Sequence, residues 1–133
     1  MILTPLEQAL EQLKTSLSFC DSDLAKKDRI LFCQFRSAAI QAFEYTYELS
    51  IKFLRRHLES EESSNEAVDI LGYRDLIRLA CEKGLIDDPE LWFQFREKRN
   101  ITSHTYAENR ADEVYKLLPS FLEKAKGLLS RIR

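Results

Sequence analysis

From Arg29 to Leu58 the chain runs thirty residues without a glycine or a proline. Apolar and small residues recur there at helical spacing: Leu31, Phe35, Ala38, Ala39, Ala42, Phe43, Thr46, Leu49, Phe53 and Leu54. One continuous helix is expected. At 1.5 Å per residue it would be about 45 Å long, more than a small domain needs, so it is expected to protrude or to serve as the spine of an oligomer. Punctuation is scarce elsewhere too, with only three Gly and three Pro in 133 residues. So few turn-formers leave little material for hairpins and argue against an all-β sandwich or barrel. A composition of 44% apolar and 32% charged residues rules out disorder. The expectation is an all-α fold, one domain spanning residues 1–133.

The remaining segments supply four more helices. Thr4-Pro5-Leu6-Glu7 has the form of a capping box with proline at the first helical position, and Leu6, Leu10, Leu13 and Leu17 follow it on one face. Asp21 to Asp28 reads as a polar connection and Glu59 to Glu66 as a solvated loop. A short helix is expected over Tyr73 to Lys83, stopped by Gly84 in a left-handed conformation with Leu85 and Ile86 as the apolar contact. Asp88 then caps a new helix that has Pro89 at its first position and Leu91, Trp92 and Phe95 on its apolar face. The last pattern runs from Arg110 to Ile132, with a kink or short break expected at Pro119. The sum is a bundle of about five helices.

Charge narrows the function classes. Twenty basic against twenty-two acidic residues give a net charge of −2, so no global field recruits nucleic acid or an anionic membrane. A polyanion would need a local cluster. Cys20, Cys33 and Cys81 are odd in number and lack a C-x-x-C pair, which fits reduced, buried thiols of a cytoplasmic protein and not a zinc site. The N-terminal MILTPLEQALEQL has no basic or long apolar region of the kind a signal peptide requires, and no apolar run approaches the ~20 residues of a membrane span. The sequon Asn100-Ile101-Thr102 is read as chance.

One stretch resists explanation as a solvated helix face. Residues 96 to 106, REKRNITSHTY, bring together Arg96, Lys98, Arg99, one of only two histidines, several hydroxyls and a phenol. Arg99 and His104 lie five residues apart. On an unbroken helix that spacing turns one about 140° from the other, so either the helix ends between them or a second chain completes the site. The run Ile101 to Ser103 favours a helix end. A guanidinium grips phosphate oxygens bidentately and an imidazole moves protons near neutral pH. Together they suffice, without metal or cofactor, for RNA cleavage by attack of the neighbouring 2′-hydroxyl. A base takes the hydroxyl proton, an acid protonates the leaving oxygen, and arginine stabilises the phosphorane. One histidine per chain supplies one proton-transfer group, and a two-fold dimer supplies two. The competing explanation is a carbonyl cap at the helix end, or pairing of Arg99 with Glu97 or Glu108.

RNITSHTY, Arg99 to Tyr106, resembles the R-x4-H-x-Y signature of HEPN-domain proteins, specifically those paired with minimal nucleotidyltransferases and known as nucleotidyltransferase substrate-binding proteins. GLIDDPELW (Gly84 to Trp92) and FEYTYELSIKFL (Phe43 to Leu54) are similar to the same family, and Glu48 to Lys52 matches its acidic-x3-basic element. The resemblance runs from about Leu6 to Leu129. It implies an up-and-down helical bundle and a homodimer in which the Arg and His motifs meet at the interface as a metal-independent ribonuclease site. It implies a toxin–antitoxin pair in which this chain is the toxin and the nucleotidyltransferase its antitoxin. Some such antitoxins transfer nucleotidyl groups to the motif tyrosine, Tyr106 here, and the added phosphates would block the site. By the resemblance Arg99 is the phosphate clamp, His104 the proton-transfer group and Tyr106 the modification target. Glu48, Lys52, Arg96, Lys98 and Asn100 would be supporting or phosphate-binding residues.

Simpler explanations exist for several of these. Glu48 and Lys52 have the spacing of an i, i+4 surface pair, and Tyr106 could anchor the loop before the last helix. Tyr45 and Tyr47 read as packing residues and Trp92 as core. His57 reads as complementing the helix dipole, and Arg55 and Arg56, which could extend an RNA track, read better as a solvated helix end. A rival function also keeps the polar cluster: a non-catalytic subunit that holds a nucleotide or acceptor for the nucleotidyltransferase. A third is a purely structural adaptor for that enzyme.

Overall fold

The computed structural model describes residues 2–61, 65–104 and 107–133, with the side chains of Asn65, Glu66 and His104 outside the description. Thr105 and Tyr106 therefore lie outside the described residues. Within them the chain forms α1 (Thr4–Cys20), α2 (Asp23–Lys27), α3 (Arg29–Glu61), α4 (Asn65–Asp69), α5 (Tyr73–Glu82), α6 (Pro89–Asn100), a 3₁₀ turn (Thr102–His104), α7 (Glu108–Tyr115) and α8 (Leu118–Ile132). No strand occurs among them.

The five long periodic segments are all helical, and the differences lie at their edges. Both polar connections contain one extra turn of helix, α2 and α4. Ser22 explains the first of these: its hydroxyl accepts from the Ala25 N–H and caps α2. The capping box at Thr4 does not form. Leu3 is the N-cap and its carbonyl accepts from the Glu7 N–H at 3.0 Å, because Leu3 packs against the core and draws the first turn back by one residue. The break expected at Pro119 falls just before it, between Tyr115 and Leu118. Pro119 lies in the first turn of α8, where its missing N–H leaves no helical bond unmade.

The 33-residue α3 is the spine of this chain itself. Each of the other helices packs somewhere along it, with α1 along its length, α8 and α6 beside its middle, and α4 at its C-terminal end. Its length is thus used within one molecule. The face turned inward carries Ala39, Ile40, Phe43, Tyr47, Phe53, Leu54 and Leu58, while Ala38, expected inside, is exposed. Tyr45 is 57% exposed, so only Tyr47 of that pair is a packing residue. The buried hydroxyls of Thr46 and Ser50 donate to the carbonyls of Ala42 and Thr46, at 2.7 and 2.8 Å, and so cost little to bury.

Phe121 of α8 organises the aromatic centre. Its ring meets Phe43 of α3 at 4.9 Å and Phe95 of α6 at 5.1 Å between centroids, both edge-on. Trp92, fully buried as expected, stands edge-on to Phe95 at 5.2 Å. Edge-to-face contact brings positive ring edges to negative faces, and it locks α6 against α3 and α8. All three cysteines are free. Cys20 is buried, whereas Cys33 and Cys81 are only half-buried, and burial pushes the Cys20 thiol above its usual pKa.

Candidate functional site

The site begins with the turn that aims α6. Gly84 has φ +76°, and around it the Leu85 N–H donates to the Ala80 carbonyl and the Gly84 N–H to the Cys81 carbonyl. That is the double bond of a Schellman stop, and Leu85 and Ile86 bury the apolar contact that follows it. The Asp88 carboxylate then accepts from the Leu91 N–H at 3.2 Å and starts α6. Trp92 and Phe95, three residues apart, turn one face of α6 into the core and place Arg99 at the edge between that face and solvent.

α6 ends at Asn100, between Arg99 and His104 as one of the two expectations required, and the backbone of His104 closes the 3₁₀ turn that follows. The Thr102 hydroxyl donates to the Arg99 carbonyl at 2.8 Å and accepts from Arg99 Nη1 at 3.1 Å. Thr102 thus supplies the carbonyl cap that was one explanation for Arg99. Neither Glu97 nor Glu108 pairs with Arg99; Glu108 pairs with Arg29. Instead Arg99 Nε donates to Glu48 Oε1 at 2.9 Å, and Nη2 lies 3.6 Å from Glu44 Oε1. A guanidinium has five N–H groups, and these contacts leave some of them, on the Nη atoms, without a partner among the described residues.

A groove of about 490 Å³ adjoins this arginine. Glu48, Arg55, Arg96, Arg99 and Asn100 line it, with Tyr47 and Tyr73 among its walls. Four of the expected site residues therefore converge: Glu48, Arg96, Arg99 and Asn100. The other two described ones do not. Lys98 turns toward α7, where its ammonium bonds to Glu113 Oε1 at 3.0 Å and holds that carboxyl below its usual pKa. Lys52 is exposed and is not among the groove's lining residues. Glu48 bonds to Arg99 and not to Lys52, so the i, i+4 surface pair is not what occupies it. The His104 side chain and the whole of Tyr106 fall outside the described residues.

Four residues of the site were missing from the expected set. Glu44 had a signal: two carboxylates four apart on one helix face repel, and Glu44 and Glu48 are stable together because Arg99 lies between them. Arg55, read as a solvated helix end, instead donates to the carbonyls of Val68 and Leu71, at 3.0 and 3.4 Å. Tyr73 donates to the Trp92 carbonyl at 2.9 Å and carries the Arg96 guanidinium over its ring at 4.5 Å. Burial pushes its phenol up to about 12 and raises that of Tyr47 further, so both stay protonated at neutral pH. The fourth, Thr102, lay inside the singled-out stretch without a role. His57, assigned to the helix dipole, faces Glu61 one turn on at 2.9 Å.

Residues 2–133 match the family described as "Nucleotidyltransferase substrate binding protein like". The chain belongs to this family. Membership bears out the resemblance read from the three sequence blocks. Among its relatives, a Haemophilus influenzae protein named "Probable ribonuclease HepT" is 39% identical over 97 residues, which are 73% of this chain and 66% of that protein. The match thus spans just under two thirds of the relative's own length. A Haemophilus influenzae structure, described as revealing the fold of a substrate binding domain of a nucleotidyltransferase, superposes with a TM-score of 0.93. Its identity is 32%, with 99% of both chains covered. A crystal structure from Thermus thermophilus superposes with a TM-score of 0.72 at 31% identity, covering 96% of this chain and 98% of its own. The all-helical fold of the substrate-binding family is therefore that of this chain as well. No helix among the described residues is long and apolar enough to cross a membrane.

Proposed function

We propose that this chain is a HEPN-type, metal-independent endoribonuclease, a cytoplasmic toxin that acts as a homodimer and is neutralised by a partner minimal nucleotidyltransferase. The observation that carries the reading is Arg99. It is anchored by Glu48 and Glu44 at the mouth of an arginine-lined groove, with N–H groups that no described residue takes, and the His104 backbone follows one short turn later. The relative named as a probable ribonuclease supports it. In the reaction Arg99 holds the non-bridging phosphate oxygens. One protomer's His104 takes the proton of the 2′-hydroxyl, whose oxygen attacks phosphorus. The other protomer's His104 protonates the departing 5′-oxygen, leaving a 2′,3′-cyclic phosphate and a 5′-hydroxyl. Tyr106, two residues from His104, is the nucleotidylation target, and its added phosphates would occupy the anion-binding groups.

The test is cleavage of RNA in the presence of a chelator. Arg99→Ala and His104→Ala are each expected to lower the rate at least ~100-fold and to relieve growth inhibition. Undiminished cleavage by purified His104→Ala protein would overturn the reading. Co-expression with the nucleotidyltransferase should add nucleotidyl mass at Tyr106. A second reading has its own support in the description of the structure with TM-score 0.93: a non-catalytic subunit whose groove presents a nucleotide to the nucleotidyltransferase. Calorimetric titration with nucleoside triphosphates separates the two, because that role requires binding lost with Arg99→Ala while RNA stays intact.

A further inference from the structure

Among the described residues, most arginine head groups are already engaged. Arg29, Arg36, Arg78, Arg99, Arg110 and Arg133 face carboxylates, and Arg55 and Arg131 bond to backbone carbonyls. Arg56 stands over the Phe53 ring at 5.7 Å near the C-terminal end of α3, and Arg74 and Arg96 form a neighbouring pair of the same kind. Each stands over an aromatic ring, Arg74 at 4.3 Å from the centroid of Phe93 and Arg96 at 4.5 Å from that of Tyr73, and neither takes a carboxylate partner among the described residues. The rings beneath them form a continuous row, Tyr47 to Tyr73 at 6.4 Å and Tyr73 to Phe93 at 6.3 Å. The row starts at the Arg99 groove and passes into a second cleft of about 440 Å³ between α5 and α6. The two clefts share Tyr73, Arg96 and Asn100 as walls, so they are one track with Arg99 at one end and Arg74 at the other.

A ring under a guanidinium fixes its plane and restricts its side chain in advance, while its N–H groups still point outward around the edge. Two such arginines in line suit a ligand with repeated anionic groups and flat faces between them. Single-stranded RNA has both: phosphates for the guanidinium edges and unpaired bases that stack on guanidinium or aromatic planes. A lone nucleotide would need one enclosed pocket, and this track is open and extended. We infer that the α5–α6 cleft is a second RNA subsite. In it Arg96 and Arg74, laid on Tyr73 and Phe93, bind the nucleotides that adjoin the phosphate held by Arg99. The inference rests on the ribonuclease reading for its substrate class. Glu90 and Glu97 also line this cleft and oppose the strand's charge, so its affinity is modest and salt-sensitive.

The test uses the full chain and a labelled single-stranded RNA with 2′-O-methyl sugars, which binds but cannot be cleaved, titrated by fluorescence anisotropy over a range of salt. Arg74→Ala and Arg96→Ala are each expected to weaken binding about three- to tenfold and to flatten the log–log salt dependence by about 0.7. Arg74→Lys should keep the salt slope but not the full affinity, Glu97→Gln should tighten binding, and Lys126→Ala, outside both clefts, should change nothing. Circular dichroism melts confirm that the variants are folded. If Arg74→Ala and Arg96→Ala bind like the wild type while Arg99→Ala does not, the subsite is overturned and the ribonuclease reading stands. If they weaken binding but the wild type never cuts unmodified RNA, the subsite stands and the ribonuclease reading falls. Loss of ATP binding with RNA binding unchanged overturns the assignment to RNA, as does failure of the wild-type protein to bind the oligonucleotide.

Discussion

The two sides of α6 are held by different forces. On its inner side Trp92 and Phe95 enter an aromatic cluster around Phe121, and all three are fully buried. On its other side stands α7, which buries only Ala111 and Val114 and is tied by charge to α3, Glu108 to Arg29 and Asp112 to Arg36 at 2.6 Å, and to α6, Glu113 to Lys98 at 3.0 Å. The motif starts between these two regimes, in the last turn of α6. Apolar packing sets where Arg99 stands, because α6 cannot rotate without displacing Trp92 and Phe95. Ion pairs set where α7 stands. One contribution scales with buried area and is indifferent to pH, while the other is screened by salt and titrates.

The contrast can be broken from its strongest side first. Phe121→Ala removes the ring that Phe43, Phe95 and Trp92 all touch and is expected to cost about 3–5 kcal/mol in urea unfolding. A loss under about 1 kcal/mol would mean that the aromatic cluster does not anchor α6. Asp112→Ala comes next. Arg36 is only 5% exposed and its Nε already lacks a partner, so removing its carboxylate leaves a buried cation. Because Asp112 itself is partly solvated, the expected cost is about 1–3 kcal/mol. Adding Arg36→Met should recover part of that loss, and a purely additive double mutant would count against a buried pair.

The smallest effect concerns acid. Lys98 and Arg110 hold the Glu113 carboxyl below its ordinary value of 4.5. A carboxyl with a depressed folded-state pKa binds fewer protons folded than unfolded, so its stabilising contribution is present above pH ~4.5 and is lost as pH falls through the folded value. Lys98→Met should therefore lower thermal stability slightly at neutral pH, leave it unchanged in acid where Glu113 is protonated anyway, and so flatten the acid limb. An identical acid limb would show that Lys98 does not hold α7.

Much of this architecture was legible in short stretches. Gly84 and Asp88-Pro89 act within a few residues of themselves, which is why the turn and the start of α6 could be read before any contact was known. The missed edges have a common cause: Leu3 moved the start of α1, and so displaced the Thr4 cap, through packing that no local rule contains. Among site residues, Arg99 was legible as a chemical type and by its motif, and its freedom from Glu97 and Glu108 was not.

By itself the sequence determined an all-helical chain and the breaks between its main helices, because helix period, caps and stops act over one or two turns, and it singled out one polar segment as the candidate site. Only the tertiary structure decided the partners. Arg99 meets Glu48 across 51 positions of sequence, Arg36 meets Asp112 across 76, Lys98 is turned away to α7, and Arg96 is laid over Tyr73. Charge and ring contacts depend on distances that exist only once α3, α5, α6 and α7 are packed. For that reason Arg99 could be singled out from the sequence, and the groove beside it could not.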